Sequence, residues 1–507
     1  MEVLEQLLAR AAAHHGDREA VVDGAVRLTY AELVERVQRL VAGLRRLGLH
    51  SGDRVGLLCR NSFRCIELHL ACRAFGAILV PINFRLAAPE IAFIVEDTGL
   101  RVMFADAHHA PVAPTVLGWQ DGDPPGAANA YEQWLAASDP AQAGPCSGGG
   151  ADDVVQIFYT SGTTGHPKGA CLTNANLAAS ALDAIVSLGL NPLDGWLHAS
   201  PMFHLVDAFA IWAVTLVGAR HVVTHFSPEL FGPLVAAERV TKTSLPPTLL
   251  DRIAREPSTA SSDLSSLELI SYGGSPMPDA VYRRCCDTLG CALLQAYGLT
   301  EGSGFVCHEA LGDNPEPQQA LNTVGRPTLH TRLAIVDDEG RPPADGAPGE
   351  IWLRGPRILH SYWRNPDATA AAFREGWYRT GDLARRDHHG RLQIVGRKKE
   401  MIISGGENVY PAEVQNVLLA YPGVTEAAVF GLPSVQWGEE VRAVVHGAGQ
   451  LFEADLLRHC RERIGAYKVP KRIHVVPEPL PKSGPGKIAT AQIRALYLSR
   501  EDHDHRP

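Results

Sequence analysis

The stretch YTSGTTGHPKGA, from Tyr159 to Ala170, follows a short apolar run, Val154 to Phe158, and fills a loop with glycines and hydroxyl side chains before it closes on a single lysine. A strand that runs into such a loop has the make-up of a phosphate cradle. Gly162, Gly165 and Gly169 let the backbone turn through positive φ and bring its N–H groups close to an anion. Thr160, Ser161, Thr163 and Thr164 add hydroxyl donors, and Lys168 adds a positive charge. The loop is not a Walker A motif, which needs Gly-Lys-Ser/Thr opening a helix. Here Pro167 precedes Lys168, removes a backbone donor and pushes His166 out of the α region.

On either side of this loop the chain alternates helix and strand signals. LTYAELVERVQRLVAGLRRLG has a 3.6-residue apolar period, and RVGLLC, GAILVPI and RVMFAD are short apolar runs bounded by Gly or Asp. Such alternation predicts a doubly wound α/β architecture with helices on a parallel sheet. Between Asp106 and Asp153 the periods fade into Pro/Gly/Ala-rich stretches, which read as a surface excursion. The α/β pattern returns from 170 to 300 with HVVTHF, KTSLPP and LELISYGG. Beyond Thr323, TRLAIVDDEGRP, GEIWLRGP and GRLQIVGR read as a small β-rich subdomain. After it come a helix near 411–421, strands near 425–431 and 441–446, and a helix near 453–464. The expected division is 1–396 for a large N-terminal unit and 397–507 for a small, mobile α+β unit.

Bulk properties narrow the function. At 507 residues the chain exceeds the size at which one core keeps growing. Its net charge of −9, from 47 basic and 56 acidic side chains, gives no polyanion-binding surface, so nucleic acid is not an expected partner. The ten cysteines include no C-x-x-C pair, which fits a reduced, cytoplasmic setting. MEVLEQLLARAAAHHGD places Val3, Leu4, Leu7, Leu8 and Ala11 on one helical face and lacks a basic leader, so it reads as a helix and not a signal. The best membrane candidate, Leu205 to Ala219, is shorter than the roughly 20 residues a span needs and carries Asp207. Only eight of the 47 basic residues are lysines, and six of these lie in the last 110 residues. A site that must insert one compact ammonium into a crowded phosphate centre resists exchange for arginine.

With YTSGTTGHPKG and the motifs that follow it, nearly the whole chain resembles the adenylate-forming superfamily of acyl-CoA synthetases, peptide-synthetase adenylation domains and luciferases. The resemblance implies ATP, Mg2+ and coenzyme A as reactants, and a small carboxylic acid as substrate. It implies that Thr160, Ser161, Gly162, Thr163, Thr164, Gly165 and Lys168 hold the phosphates. SYGGSPMP, with Gly273, Gly274 and Ser275, passes along the adenine and the acyl group. In YGLTE, Tyr297 stacks on the purine, Gly298 belongs to the same nucleotide-binding stretch, Thr300 bonds a phosphate and Glu301 holds Mg2+. Asp382 in YRTGDLARRD binds the ribose hydroxyls with Arg397 beside it. Lys399 stands at the hinge, Gly405 and Gly406 line the path of the thiol, and Lys487 in PKSGPGKIA is the catalytic lysine of the last loop. Thr490 stands where many relatives have arginine. PMFHLVD places His204 near the substrate carboxylate. Asp207 within it meets a polar group on the substrate or, as the preferred reading, caps the helix.

The reaction this implies needs no general base, because a carboxylic acid is already ionised at neutral pH. The acid attacks the α-phosphate to give an acyl-adenylate, and a thiol then takes the acyl group while the C-terminal unit swings. The acceptor is CoA or, alternatively, a carrier protein, with Lys468 and Lys471 placed to meet either. Other readings are a kinase, which the proline before Lys168 opposes, and a silent nucleotide-binding regulator, which has little use for Lys487. A monomer or homodimer is expected.

Overall fold

The computed structural model describes residues 4, 6–107, 115–120, 122–144, 149–160, 167–275, 277–309, 323–404, 407–434, 436–482 and 488–504. Among these, two large sheets and two small ones form. The seven-stranded sheet runs, in spatial order, Ser361–Tyr362, Lys168–Thr173, Val154–Thr160, Ile78–Pro81, Arg54–Leu58, Val102–Asp106 and Thr115–Trp119. From Val154–Thr160 to Thr115–Trp119 its neighbours are parallel, and the first two strands are antiparallel additions. The nine-stranded sheet runs Arg326–Pro327, Gly304–His308, Ala292–Leu299, Leu269–Gly273, Lys242–Leu245, Gly195–His198, Arg220–Val223, Glu19–Asp23 and Val26–Thr29. Its middle is parallel, from Ala292–Leu299 across to Glu19–Asp23.

Buried residues from both large sheets join one hydrophobic core around the helices Tyr30–Arg46, Phe63–Phe75, Asn174–Leu188 and Leu205–Val217. Every residue of Phe63–Phe75 is buried, including four that are charged or polar. A helix enclosed on all sides must pair its charges, and this one does. Arg64 bonds Glu132 at 2.7 Å, and Arg36 bridges Glu67 at 2.7 Å and Glu132 at 2.9 Å. Glu132 belongs to the region expected to be a surface excursion, and that expectation is corrected here. The strand Thr115–Trp119 completes an edge of the seven-stranded sheet, and the helix Ala130–Ala136 buries Tyr131 and Leu135. The helix starts where Asn129 caps the N–H of Glu132 at 2.8 Å.

The third sheet is antiparallel, in the order Arg332–Val336, Gly349–Arg354, Trp377–Arg386, Phe373–Arg374, with Leu392–Arg397 also on Trp377–Arg386. The fourth contains Glu407–Val409, Ile402–Ser404, Gly438–Gly447, Val424–Ser434 and Arg472–Val476. With the helices Pro411–Leu419 and Glu453–Arg461 on one cluster and Thr490–Asp504 on the other, it encloses two hydrophobic clusters made only of residues from Ile402 onward. The N-terminal helix spans Leu7–His15 and buries Leu7 and Ala11. No helix among the described residues is long and apolar enough to cross a membrane.

Candidate active site

The strand that feeds the glycine loop returns as an antiparallel partner, so Thr160 pairs with Lys168 across the hairpin. Ser161 to Gly165 lie outside the described residues, as do Gly405, Gly406 and Lys487. Lys168 is half-buried, and its ammonium sits 5.5 Å from the ring centre of Tyr362. Tyr362 reaches this place because Ser361–Tyr362 pairs with Ala170 and Cys171 of the hairpin. Its hydroxyl donates to Glu301 Oε1 at 2.9 Å and lies 3.2 Å from the hydroxyl of Tyr378.

Glu301 stands in a 3₁₀ turn, Thr300–Gly302, at the end of the strand Ala292–Leu299. Burial pushes its carboxyl above the usual carboxylate range, against the Tyr362 hydrogen bond and the Arg397 charge that pull the other way. Four residues earlier on the same strand, the Tyr297 hydroxyl donates to Asp382 Oδ2 at 2.6 Å. Arg397 Nε donates to Asp382 Oδ1 at 3.0 Å, since the two residues pair in the third sheet. Asp382 holds the guanidinium of Arg397 above its ordinary range, and burial with the nearby Asp382 charge keeps the Tyr297 phenol firmly protonated. Tyr297, read from sequence as a purine platform, is thus also the link between the Glu301 strand and the Asp382–Arg397 pair.

Gly273 and Gly298 border this centre at points where the backbone leaves no room for a side chain. A Cβ at Gly273 would strike the carbonyl oxygen of Ala296, and one at Gly298 would strike that of Gly304. Gly274 and Ser275 continue from the end of the strand Leu269–Gly273, exposed and half-buried respectively. Thr300 is half-buried at the start of the Glu301 turn. His204 is the residue before the helix Leu205–Val217, with its ring 4.4 Å from that of Phe203. A Cβ built on Gly304 would lie 3.5 Å from the Leu205 carbonyl oxygen, so this helix begins beside the Glu301 turn.

Asp207 departs from both readings offered for it. It neither caps the helix, whose N-cap is His204, nor reaches solvent. Its carboxylate accepts from Trp196 Nε1 at 3.1 Å and meets His198 Nδ1 at 2.7 Å. His198 Nε2 then meets His221 Nδ1 at 2.9 Å, and His221 Nε2 meets Thr215 Oγ1 at 3.0 Å. Lys468 is held by Glu413 at 2.7 Å, and Lys471 lies 4.6 Å from the centre of the Trp437 ring. Lys398, beside the expected hinge, bonds Asp338 at 2.6 Å and Glu350 at 3.2 Å.

Tyr362 and Tyr378 were missed in the sequence because a lone tyrosine carries no spacing signal. Arg357 and Asp183, fully buried behind the Glu301 turn, were missed because 174 residues separate them.

Chemically, the centre offers one desolvated carboxylate at Glu301 and a second, Asp382, placed to accept two hydroxyls. It also offers an ammonium at Lys168 and a guanidinium at Arg397; Glu301 follows a strand of the parallel part of the nine-stranded sheet, and Asp382 and Arg397 reach it from the antiparallel third sheet. The profile described as AMP-binding enzyme matches residues 8–363, and that described as AMP-binding enzyme C-terminal domain matches residues 413–487. A feruloyl-CoA synthase of an Amycolatopsis species is 39% identical over 483 residues, 94% of this chain and 96% of its own. A long-chain-fatty-acid–CoA ligase of Mycobacterium tuberculosis is 35% identical over 489 residues, 93% of each chain. The solved o-succinylbenzoate CoA synthetase of Bacillus subtilis, in complex with its acyl-adenylate intermediate, shares 28% identity at a TM-score of 0.86, covering 97% of this chain and 98% of that one. Motifs, sheet order and near full-length similarity therefore agree: the chain belongs to the AMP-binding enzyme family, of the adenylate-forming acyl-CoA synthetase type.

Proposed function

We propose that this protein is an AMP-forming acid–thiol ligase, which joins a carboxylic acid to ATP as an acyl-adenylate and then passes the acyl group to the thiol of CoA. The observation that carries this reading is that Tyr362 brings Lys168, over its ring, to Glu301, on its hydroxyl, while Tyr297, four residues before Glu301, bonds the Asp382 that also holds Arg397. Asp382 takes the ribose hydroxyls and Arg397 the adjoining phosphate. Lys168 and the loop Thr160–Gly165 hold the outer phosphates. The acid enters beside His204 as a carboxylate, so the protein orients it in line with the α-phosphate and no proton is removed.

Glu301 fits a magnesium ion. Burial makes its negative charge costly, and a divalent cation would repay that cost. An ion held by one carboxylate and the substrate's own phosphates needs no cluster of protein ligands. When bound, Mg2+ would neutralise charge on those phosphates. Residues 397–507 act as the mobile lid, with Lys487 delivered for the first step and the Gly405–Gly406 face for the second. ATP and CoA are both supplied in the cytoplasm, the compartment this reading favours.

The test is a screen of aryl and fatty acids, with ferulate first, for acid-dependent return of labelled pyrophosphate into ATP, followed by thioester formation with CoA or with an acyl carrier protein. Exchange followed by CoA thioester is the expected result. Release of ADP would make the protein a kinase, and a thioester formed only on the carrier would change the acceptor.

A further inference from the structure

The carboxylate of Glu301 is bonded by one side chain, yet its turn is gripped from behind by a set of buried groups that take no part in the chemistry. Ser303, two residues on, has φ of 56°, in the left-handed region that a residue with a Cβ occupies at a cost. Something must hold the turn there. Arg357, fully buried, donates from Nε to the Gly302 carbonyl at 3.0 Å. The Ser303 hydroxyl donates to the Arg357 carbonyl at 2.8 Å, and Ser180 donates to the Ser303 carbonyl. The Leu359 amide donates to the carbonyl of Glu301 itself at 2.7 Å. The segment that ends in Tyr362 thus holds Glu301 by backbone and by carboxylate.

That segment is held in turn by one face of the helix Asn174–Leu188. Asn176 Nδ2 donates to the carbonyls of Pro356 at 2.7 Å and Ile358 at 2.9 Å. Asp183 accepts from Arg357 at 2.6 Å, and both side chains are fully buried. Asn176, Ser180 and Asp183 fall at i, i+4 and i+7, one stripe of the helix, and all three are buried. Arg357 also reaches Thr328 Oγ1 at 2.9 Å, and His330 Nδ1 meets Asp183 Oδ1 at 2.7 Å. Every strong donor and acceptor of the frame is used, the condition under which a buried ionic network specifies one geometry.

We propose that the Asp183–Arg357 pair, with Asn176 and Ser180, is a positioning frame for Glu301. It sets where the carboxylate stands and thereby controls how tightly the magnesium form of ATP is bound. The frame touches neither substrate nor metal. The inference rests on the reading of Glu301 given above.

The test compares wild type with Arg357→Met/Asp183→Leu, which removes both charges together and so avoids leaving one unpaired. Ser180→Ala, which removes the bond to the Ser303 carbonyl and the long one accepted from Arg357 Nη2 at 3.4 Å, is the milder companion. Nucleotide binding is titrated calorimetrically with ATP plus Mg2+ and with ATP plus EDTA, and KM is measured separately for MgATP and for the acid. The double variant is expected to lose about tenfold in Mg2+-dependent ATP affinity and to raise KM for MgATP, with metal-free binding and KM for the acid unchanged. Ser180→Ala is expected to do the same by about threefold, and it decides the matter alone if the double variant does not fold. Unchanged Mg2+-dependent affinity, or an equal loss in every parameter, would overturn the proposal. Wild-type protein that binds ATP no better with Mg2+ than with EDTA would overturn the reading of Glu301 as well.

Discussion

The helices Asn174–Leu188 and Leu205–Val217 pack against each other in the main core, and each carries one fully buried aspartate that solves its charge differently. Asp183 faces a buried arginine, and the bonds of the pair run outward to the Glu301 turn. Asp207 faces His198, and its chain of bonds runs away from the site. The Thr215 hydroxyl donates to the Ile211 carbonyl at 2.7 Å, so it must accept from His221 Nε2. His221 Nδ1 then accepts from His198 Nε2, which leaves one proton to lie between His198 Nδ1 and Asp207. One carboxylate fixes a geometry that the reaction uses, and the other closes a polar circuit on its own helix.

The largest expected effect breaks the first region. Asp183→Ala strands a buried guanidinium and should cost about 3–5 kcal/mol, seen as a lowered unfolding midpoint together with lost pyrophosphate exchange. Acidification comes next, and the buried histidines of the second region are among the groups it should reach. His69, edge-on to Trp212 of that helix, has its pKa pushed down to about 4, mainly by burial, and His221 is held well below the ordinary histidine value for the same reason. Both are neutral in the fold and protonated in the unfolded chain below pH ~6.5, so unfolding takes up protons. The stability they contribute is fully present above that pH and declines as pH falls. His69 alone should account for a loss of about 2 kcal/mol by pH 5, measured as unfolding midpoint against pH.

The smallest effects sharpen the contrast within the second region. Asp207→Ala leaves Trp196 Nε1 and His198 Nδ1 without their acceptor and should cost about 1–3 kcal/mol. Asp207→Asn can still accept from Trp196 and donate to a neutral His198, so it should cost less than about 1 kcal/mol, with ATP affinity unchanged in calorimetric titration. A large loss of ATP affinity in either variant would erase the distinction between the two helices.

The sequence was readable where chemistry and local pattern coincide. The apolar run before Tyr159 and the strand into Tyr297 each name their own geometry, whereas Asp382, read as following a glycine turn, lies inside the strand Trp377–Arg386, where Gly381 has φ of 72°; the structure brings Tyr297, Asp382 and Arg397 within hydrogen-bonding distance. Reading failed where long-range pairing overrides local signals. Residues 115–136 looked irregular because their polar members, Glu132 above all, are buried against arginines of distant helices. Asp207 looked like a cap because aspartate near a helix start usually is one, whereas its partners Trp196 and His198 lie on the strand Gly195–His198. Asn176, Ser180 and Asp183 have legible helical spacing, but a polar stripe ordinarily faces water. Scarce lysine marked Lys168, yet it also marked Lys242, which is buried in an ion pair with Asp194 at 2.6 Å and serves packing.

The two-residue strand Ser361–Tyr362 has a bearing on how the polypeptide can be divided for expression. It covers the outer rim of the seven-stranded sheet, and without it the main-chain groups of Ala170 and Cys171 would be bare and ready to recruit a foreign strand. A recombinant fragment cut before residue 361 would therefore tend to precipitate, while one that retains this tie and the Trp363 amide bonded to the Gly169 carbonyl at 2.7 Å would keep its margin sealed.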